Sequence, residues 1–175
     1  MRRAGLQFDL SPPPLYQEGL APALDWLASH VTRRFGLTVS CVAARSMPTL
    51  DQNLAIILFQ CARELVYNLA KHADASAGWI ELDSVDNEVH LMVSDNGKGF
   101  RLADIPGQQR SKGGSGLYSL RERLLLFGGS LMIESSATGA RVTVRVTLMP
   151  GAQGLAGIDN VELMAAERLP AYVRP

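Results

Sequence analysis

Three groups of residues have the types and spacing to do chemistry. Glu64, Asn68 and Lys71 are separated by four and three positions, which at about 100° per residue places them within ~60° of one another on one helical face. That line carries an acid, an amide and a base. It borders the apolar stripe of the same helix rather than opposing it, which is where one wall of a cleft would stand. The second group is "LMVSDNGKGF", residues 91–100, an apolar run that stops at Asp95 and breaks into Gly97 and Gly99 around a lysine. Asn-Gly is a strong turn signal and glycine adopts positive φ without steric cost, so a strand-end turn and a binding loop are both readings of it. The third is "KGGSGL", residues 112–117, a glycine cluster opening a helix. Backbone amides at such a start approach phosphate oxygens closely, and the helix dipole favours negative charge there. Taken together the three suggest a triphosphate pocket. Neither the P-loop pattern nor the Rossmann spacing is present, so a nucleotide would be held another way. Taken singly, the helix line also fits a solvated flank, and His72 and His90 fit structural roles at a helix end and in a strand.

The elements that must position these groups follow from periodicity. Leu20, Leu24, Leu27, Val31 and Phe35 recur at spacings of four, three, four and four, with Gly36 after them, which predicts one amphipathic helix with a glycine cap. "LTVSCVAA" has a strand's β-branched content. A longer helix follows, with Thr49 or Asp51 as N-cap and Leu54, Leu58, Cys61, Leu65 and Leu69 as its buried stripe. "GWIELDSVDNEVHLMVSDNG" predicts two strands turning at Asp86-Asn87, and "SLMIESSATGARVTVRVTLM" two more turning at Thr138-Gly139. Between the hairpins lie a polar glycine-rich loop, 101–116, and a short helix from Leu117 to Phe127 ended by Gly128-Gly129. Helices first and antiparallel hairpins after predict an α/β two-layer sandwich. Before Gly19, "LSPPPLYQEG" reads as an extended linker arm, because consecutive prolines exclude a helix interior. Beyond residue 149 the tail includes a candidate short helix, "DNVELMAAERL". The division expected is a linker arm over 1–18, one domain over 19–149 and a tail over 150–175.

Composition narrows the function. The chain has 175 residues, 47% of them hydrophobic, with 17 Lys+Arg against 17 Asp+Glu, so one domain is expected and no net field favours nucleic acid or an anionic membrane. The longest apolar runs, such as 54–59, are far below the roughly 18 residues of a spanning helix, and no charged-then-apolar leader opens the sequence. A cytoplasmic location without direct membrane contact is the expectation. Cys41 and Cys61 lack a C-x-x-C spacing and are expected as unpaired core thiols.

The motifs in order resemble those of the GHKL ATPase/kinase superfamily. "RELVYNLAKHADAS" (63–76) resembles the N box, "DNGKGF" (95–100) the first glycine box and "GGSGLYSLRERLLLFGGSLMIES" (113–135) the second. The R-E-R followed by Gly-Gly is similar to two-component histidine kinases that pair with NarL-type regulators, and "LSPPPLYQEGLAPALDWLA" is similar to the segment joining their dimerisation helices to the ATP-binding domain. The resemblance spans roughly residues 8–149 and implies the Bergerat fold, a mixed, mostly antiparallel sheet on about three helices. It implies that Asp95 accepts from the adenine amino group beside Gly97 and Gly99, and that Asn68 holds Mg²⁺ against the phosphates of ATP. It further places Lys71 and His72 near those phosphates, Glu64 as the catalytic carboxylate of the N box, which activates water in the ATP-hydrolysing relatives, and Gly114, Gly116 and Leu117 at the phosphate border. Residues 101–113 would form an ATP lid, with Arg110 and Lys112 as closing contacts.

Two departures stand out. Gly114 occupies a position where the subfamily often has a bulkier or histidine residue, and Gly139-Ala140 stands where a Gly-Thr pair is usual. No segment resembles an H box, and His30, His72 and His90 all fall within the ATP-binding region, so the acceptor histidine is expected on a separate dimerisation domain. A response regulator is the second partner implied. Two other readings remain open at this stage, an anti-sigma-type protein serine kinase and a non-catalytic ATP-binding scaffold.

Overall fold

The computed structural model describes residues 12–100 and 116–148. Arg110, Lys112 and Gly114, and the candidate helix of the C-terminal tail, lie outside those residues. In chain order the elements are α1 (Pro13–Gln17), α2 (Leu20–Phe35), β1 (Thr38–Ala43), α3 (Gln52–His72), β2 (Ala77–Val85), β3 (Glu88–Asp95), α4 (Gly116–Leu125), β4 (Gly129–Ser136) and β5 (Gly139–Thr147). The proline stretch is extended only at Pro12, with φ −70° and ψ 150°. Pro13 and Pro14 then open α1, a correction to the linker expected there. At the first helical positions the missing N–H would have had no partner, and the fixed φ is already helical. Leu15 of α1 is buried in the common core, so the packed body reaches into the expected arm.

α2 and α3 form where the apolar stripes predict. Leu20, Leu24, Leu27 and Val31 are buried on α2, and Gly36 closes it in the left-handed region at φ +70° with its amide on the Thr32 carbonyl. Phe35 departs from its stripe: as the last helical residue it is 37% exposed and lies edge-on to Tyr67, ring centroids 5.6 Å apart. The Thr32 hydroxyl donates to the Ala28 carbonyl at 2.9 Å and accepts the Val39 amide at 3.0 Å, tying the helix end to β1. Asp51, rather than Thr49, caps α3, its carboxylate accepting the amides of Asn53 at 2.9 Å and Leu54 at 3.4 Å. All five residues of the predicted α3 stripe are buried.

The five strands make one sheet in the order β1-β2-β3-β5-β4. β1 and β2 are parallel because α3 is the crossover between them, whereas the other pairs are antiparallel. Asp86 and Asn87 both have positive φ, 49° and 66°, the backbone that a two-residue hairpin turn demands. Alternation gives the sheet one inner face, including Ile80, Leu82, Leu91, Val93, Ile133, Val142 and Val144, and an outer face with exposed Glu81, Asp83, Ser130 and Arg145. The helices pack on the inner face, so the structure is the expected two-layer sandwich. Burial pushes the Cys61 thiol up to about 12 and the half-buried Cys41 thiol up to about 11, so neither is a thiolate at neutral pH. No helix among the described residues is long and apolar enough to cross a membrane.

The cap on α3 yields a first prediction. Asp51→Ala should lower unfolding free energy by about 1 kcal/mol, while Asp51→Asn, which still accepts the two amides, should lose far less. Urea unfolding measures both, and equal losses would remove the cap from the account.

Candidate functional site

The polar line on α3 is continuous in the fold. Asn68 donates through Nδ2 to Glu64 Oε1 at 3.4 Å, and both side chains are half-buried along the edge of the core. With Nδ2 directed to Glu64, the other polar atom of the Asn68 amide is its oxygen, a hard acceptor. Lys71 and His72 are exposed in the last turn, with Lys71 Nζ 5.8 Å from the Tyr67 ring centroid.

α3 brings this line to the end of β3 through tight packing. Leu69 rests on Gly78, where a Cβ would lie 3.0 Å from its Cδ1, and Gly78 pairs in register with Asp95. The end of α3 and the strand-end acid therefore lie at one corner. Asp95 is half-buried there and accepts the Gly97 amide through Oδ1 at 2.7 Å. Desolvation pushes its carboxyl above the ordinary range, against the downward pull of backbone bonds from Gly97 and Ala140. An ionised carboxylate offers about four lone-pair positions, so two amides leave capacity for a further donor in a half-dry setting. A ligand amino group is the matching chemistry.

The glycines after Asp95 answer to the protein's own backbone. A Cβ on Gly97 would sit 2.1 Å from the Ala73 carbonyl oxygen, and one on Gly99, at φ +62°, 1.9 Å from that of Ser136. Such distances exclude any side chain without backbone movement. The Lys98 amide bonds the same Ala73 oxygen at 2.9 Å, and its ammonium pairs with Asp74, whose carboxyl it lowers by hydrogen bond and charge. On the other side the Phe100 amide donates to Ser135 Oγ at 2.8 Å. The loop is thus clasped between the end of α3 and the β4–β5 hairpin, and this close approach of backbones is why glycine stands at 97 and 99.

Asn96 was not anticipated. Its Oδ1 accepts the amides of Ser76 at 3.1 Å and Ala77 at 2.9 Å while Nδ2 donates to Ser76 Oγ at 2.8 Å, fixing the start of β2 against the residue beside Asp95. No local pattern signals this role, because the two amides lie 20 and 19 positions away in sequence. Ala140, buried against Asp95, is likewise part of the corner through its backbone. Gly116 and Leu117 begin α4, so the second glycine cluster does open a helix.

Among the described residues no group of three or more His, Cys, Asp or Glu side chains could hold a metal ion. The donor set fits only a cation that keeps most of its waters and takes one or two protein oxygens, which is the habit of Mg²⁺.

Residues 53–150 match the family described as histidine kinase-, DNA gyrase B- and HSP90-like ATPase. The chain is 34% identical over 138 residues to the sensor histidine kinase MctS of Rhizobium johnstonii, covering 79% of this chain and 30% of that protein. It is 31% identical over 141 residues to the sensor histidine kinase NarS of Mycobacterium tuberculosis, covering 81% and 32%. The chain thus spans about a third of the length of these curated relatives. In fold it is similar to the Acinetobacter baumannii histidine kinase AdeS, with a TM-score of 0.60 at 14% identity over 81% of this chain and 75% of that one.

Two predictions follow from this corner. Gly97→Ala should cost about 1–3 kcal/mol by urea unfolding, because the added methyl meets a backbone carbonyl that cannot turn aside. A loss no greater than that of a surface alanine substitution, within about 0.5 kcal/mol, would show that the clasp yields. For Asp95, a raised folded pKa means that its contribution is fully favourable below the unfolded value of about 4 and is lost as pH rises through the folded value. Asp95→Asn removes that penalty, so its melting temperature at pH 7 should equal or exceed wild type, with the advantage shrinking as pH falls toward 4. A lower melting temperature at pH 7 and no pH trend would contradict the assignment.

Proposed function

This chain belongs to the histidine kinase-, DNA gyrase B- and HSP90-like ATPase family, and on that premise we propose that it binds Mg-ATP and supplies the γ-phosphoryl group to a histidine of a sensor kinase. The acceptor histidine would lie on a dimerisation domain, from which a response regulator would take the phosphoryl group. The observation that carries the reading is the Asp95 corner, a half-dry carboxylate with two amides on it and acceptor capacity to spare. Adenine presents an exocyclic amine that matches it.

Asn68 would take Mg²⁺ through its amide oxygen, with Glu64 holding the Nδ2 side of the amide. The ion would neutralise phosphate charge, and the protein's part is to place it. Lys71 and His72, exposed at the end of the same helix, would add positive charge on the phosphate side. Glu64 would accept the proton of the incoming nucleophile. Phosphoryl transfer asks mainly for positioning and charge neutralisation, and these groups supply both. Gly114, Gly116 and Leu117 would border the phosphates, and Arg110 and Lys112 would close over them. The relatives' names favour a histidine over a serine acceptor, and intact Glu64, Asn68 and Asp95 speak against a non-catalytic scaffold.

Calorimetric titration with a non-hydrolysable ATP analogue, with and without Mg²⁺, tests the pocket. Asp95→Asn should weaken binding by about tenfold or more, the loss expected for a hydrogen bond to a charged acceptor. Asn68→Ala should remove most of the gain in affinity that Mg²⁺ confers. Unchanged affinity in the first variant sinks the adenine role of Asp95, and wild-type metal dependence in the second takes Asn68 out of the metal site.

A further inference from the structure

Arg123, the second arginine of the R-E-R run, has no role assigned above, yet it bridges α3, which carries the polar line, and α4. Its Nε donates to the Ser119 carbonyl at 3.2 Å and its Nη2 to the Ser119 hydroxyl at 3.3 Å, one turn back on α4. Its Nη1 reaches across to Gln60 Oε1 on α3 at 2.8 Å. The two bonds to Ser119 orient the planar guanidinium, so the third acts as a strut rather than a loose surface contact. Gln60 stands four positions before Glu64 and eight before Asn68, so the strut lands on the polar line itself. Leu120 and Leu124 of α4, each 1% exposed, join the common apolar core. Apolar burial is non-directional and leaves α4 freer to slide or roll than a hydrogen bond does.

α4 begins at Gly116, seven residues before Arg123, which is ~10 Å along a helix. Moving the strut therefore moves the start of α4 relative to Asn68. We propose that Arg123 is a positioning residue for nucleotide phosphates: by holding α4 on Gln60, it sets the separation between the first turn of α4, at Gly116, and the amide of Asn68. The inference rests on the ATP-binding reading and adds a residue that touches no nucleotide.

The experiment compares two probes, the ATP analogue AMP-PNP with Mg²⁺ and adenosine, on wild type, Arg123→Ala, Gln60→Ala and the double variant. Adenosine carries the base and ribose but nothing that reaches the start of α4. Arg123→Ala should weaken AMP-PNP by about tenfold, the loss of one charged hydrogen bond, while adenosine changes by less than about twofold. The double variant should be no worse than the worse single one, since both remove the same bond. A merely structural role would weaken both probes alike, and that outcome overturns the proposal, as does additivity of the two substitutions. Should Arg123→Ala fail to fold, Gln60→Ala gives the same comparison with the guanidinium left in place, and an unchanged ratio of the two affinities in it is equally fatal. Wild type that binds neither probe removes the ATP-binding reading and this proposal with it, whereas wild type that binds both, with the ratio unchanged in the variants, removes this proposal alone.

Discussion

The carbonyl oxygen of Ala73 is the fixed point of the site. It accepts the Lys98 amide and leaves no space for a side chain on Gly97, while the amide of the same residue closes α3 on the Leu69 carbonyl. Because α3 ends there, the residues of its polar line are set at a constant height relative to the loop that follows Asp95. A backbone-to-backbone contact of this kind has no rotamer freedom and transmits position better than a side-chain contact. Gly99 and Gly139 repeat the device on the other flank, where a Cβ would meet the carbonyls of Ser136 and Asp95. The acid is thereby held in a frame built from three segments distant in sequence.

That frame explains how a chain with equal numbers of acidic and basic residues could hold a highly charged ligand. Attraction cannot come from a net field, so it must come from local groups whose orientation is fixed before the ligand arrives. Asp95 is desolvated and partly satisfied, and Asn68 is turned by Glu64. Each is a destabilised or constrained group supported by neighbours that are not. The apolar stripes of α2 and α3 and the inner face of the sheet supply that support.

Much of this was legible because it is local. The α2 and α3 stripes, the Gly36 cap and the Asp86-Asn87 turn each depend on residues within one or two turns of one another, and all stand where periodicity placed them. The proline stretch misled because three prolines read as a break, while two of them occupy helix positions that require no N–H. Phe35 fits the period of its helix, but it is the last helical residue and its ring lies against Tyr67 at the surface, which periodicity does not register. The types of Glu64, Asn68 and Asp95 were visible at once. Their supports were not, since Asn96 acts on Ser76 from 20 positions away and Arg123 on Gln60 from 63. The reason for glycine at 97 also lay in the fold, in a carbonyl of a different element.

The central claim is that the corner between the end of α3 and the end of β3 is a nucleotide pocket. A crystal structure of the protein with Mg²⁺ and AMP-PNP tests it most directly. The account predicts the adenine amino group within hydrogen-bond distance of an Asp95 oxygen and the metal on the amide oxygen of Asn68. Nucleotide bound at any other surface, or bound here with Asp95 facing away from the base, would contradict it.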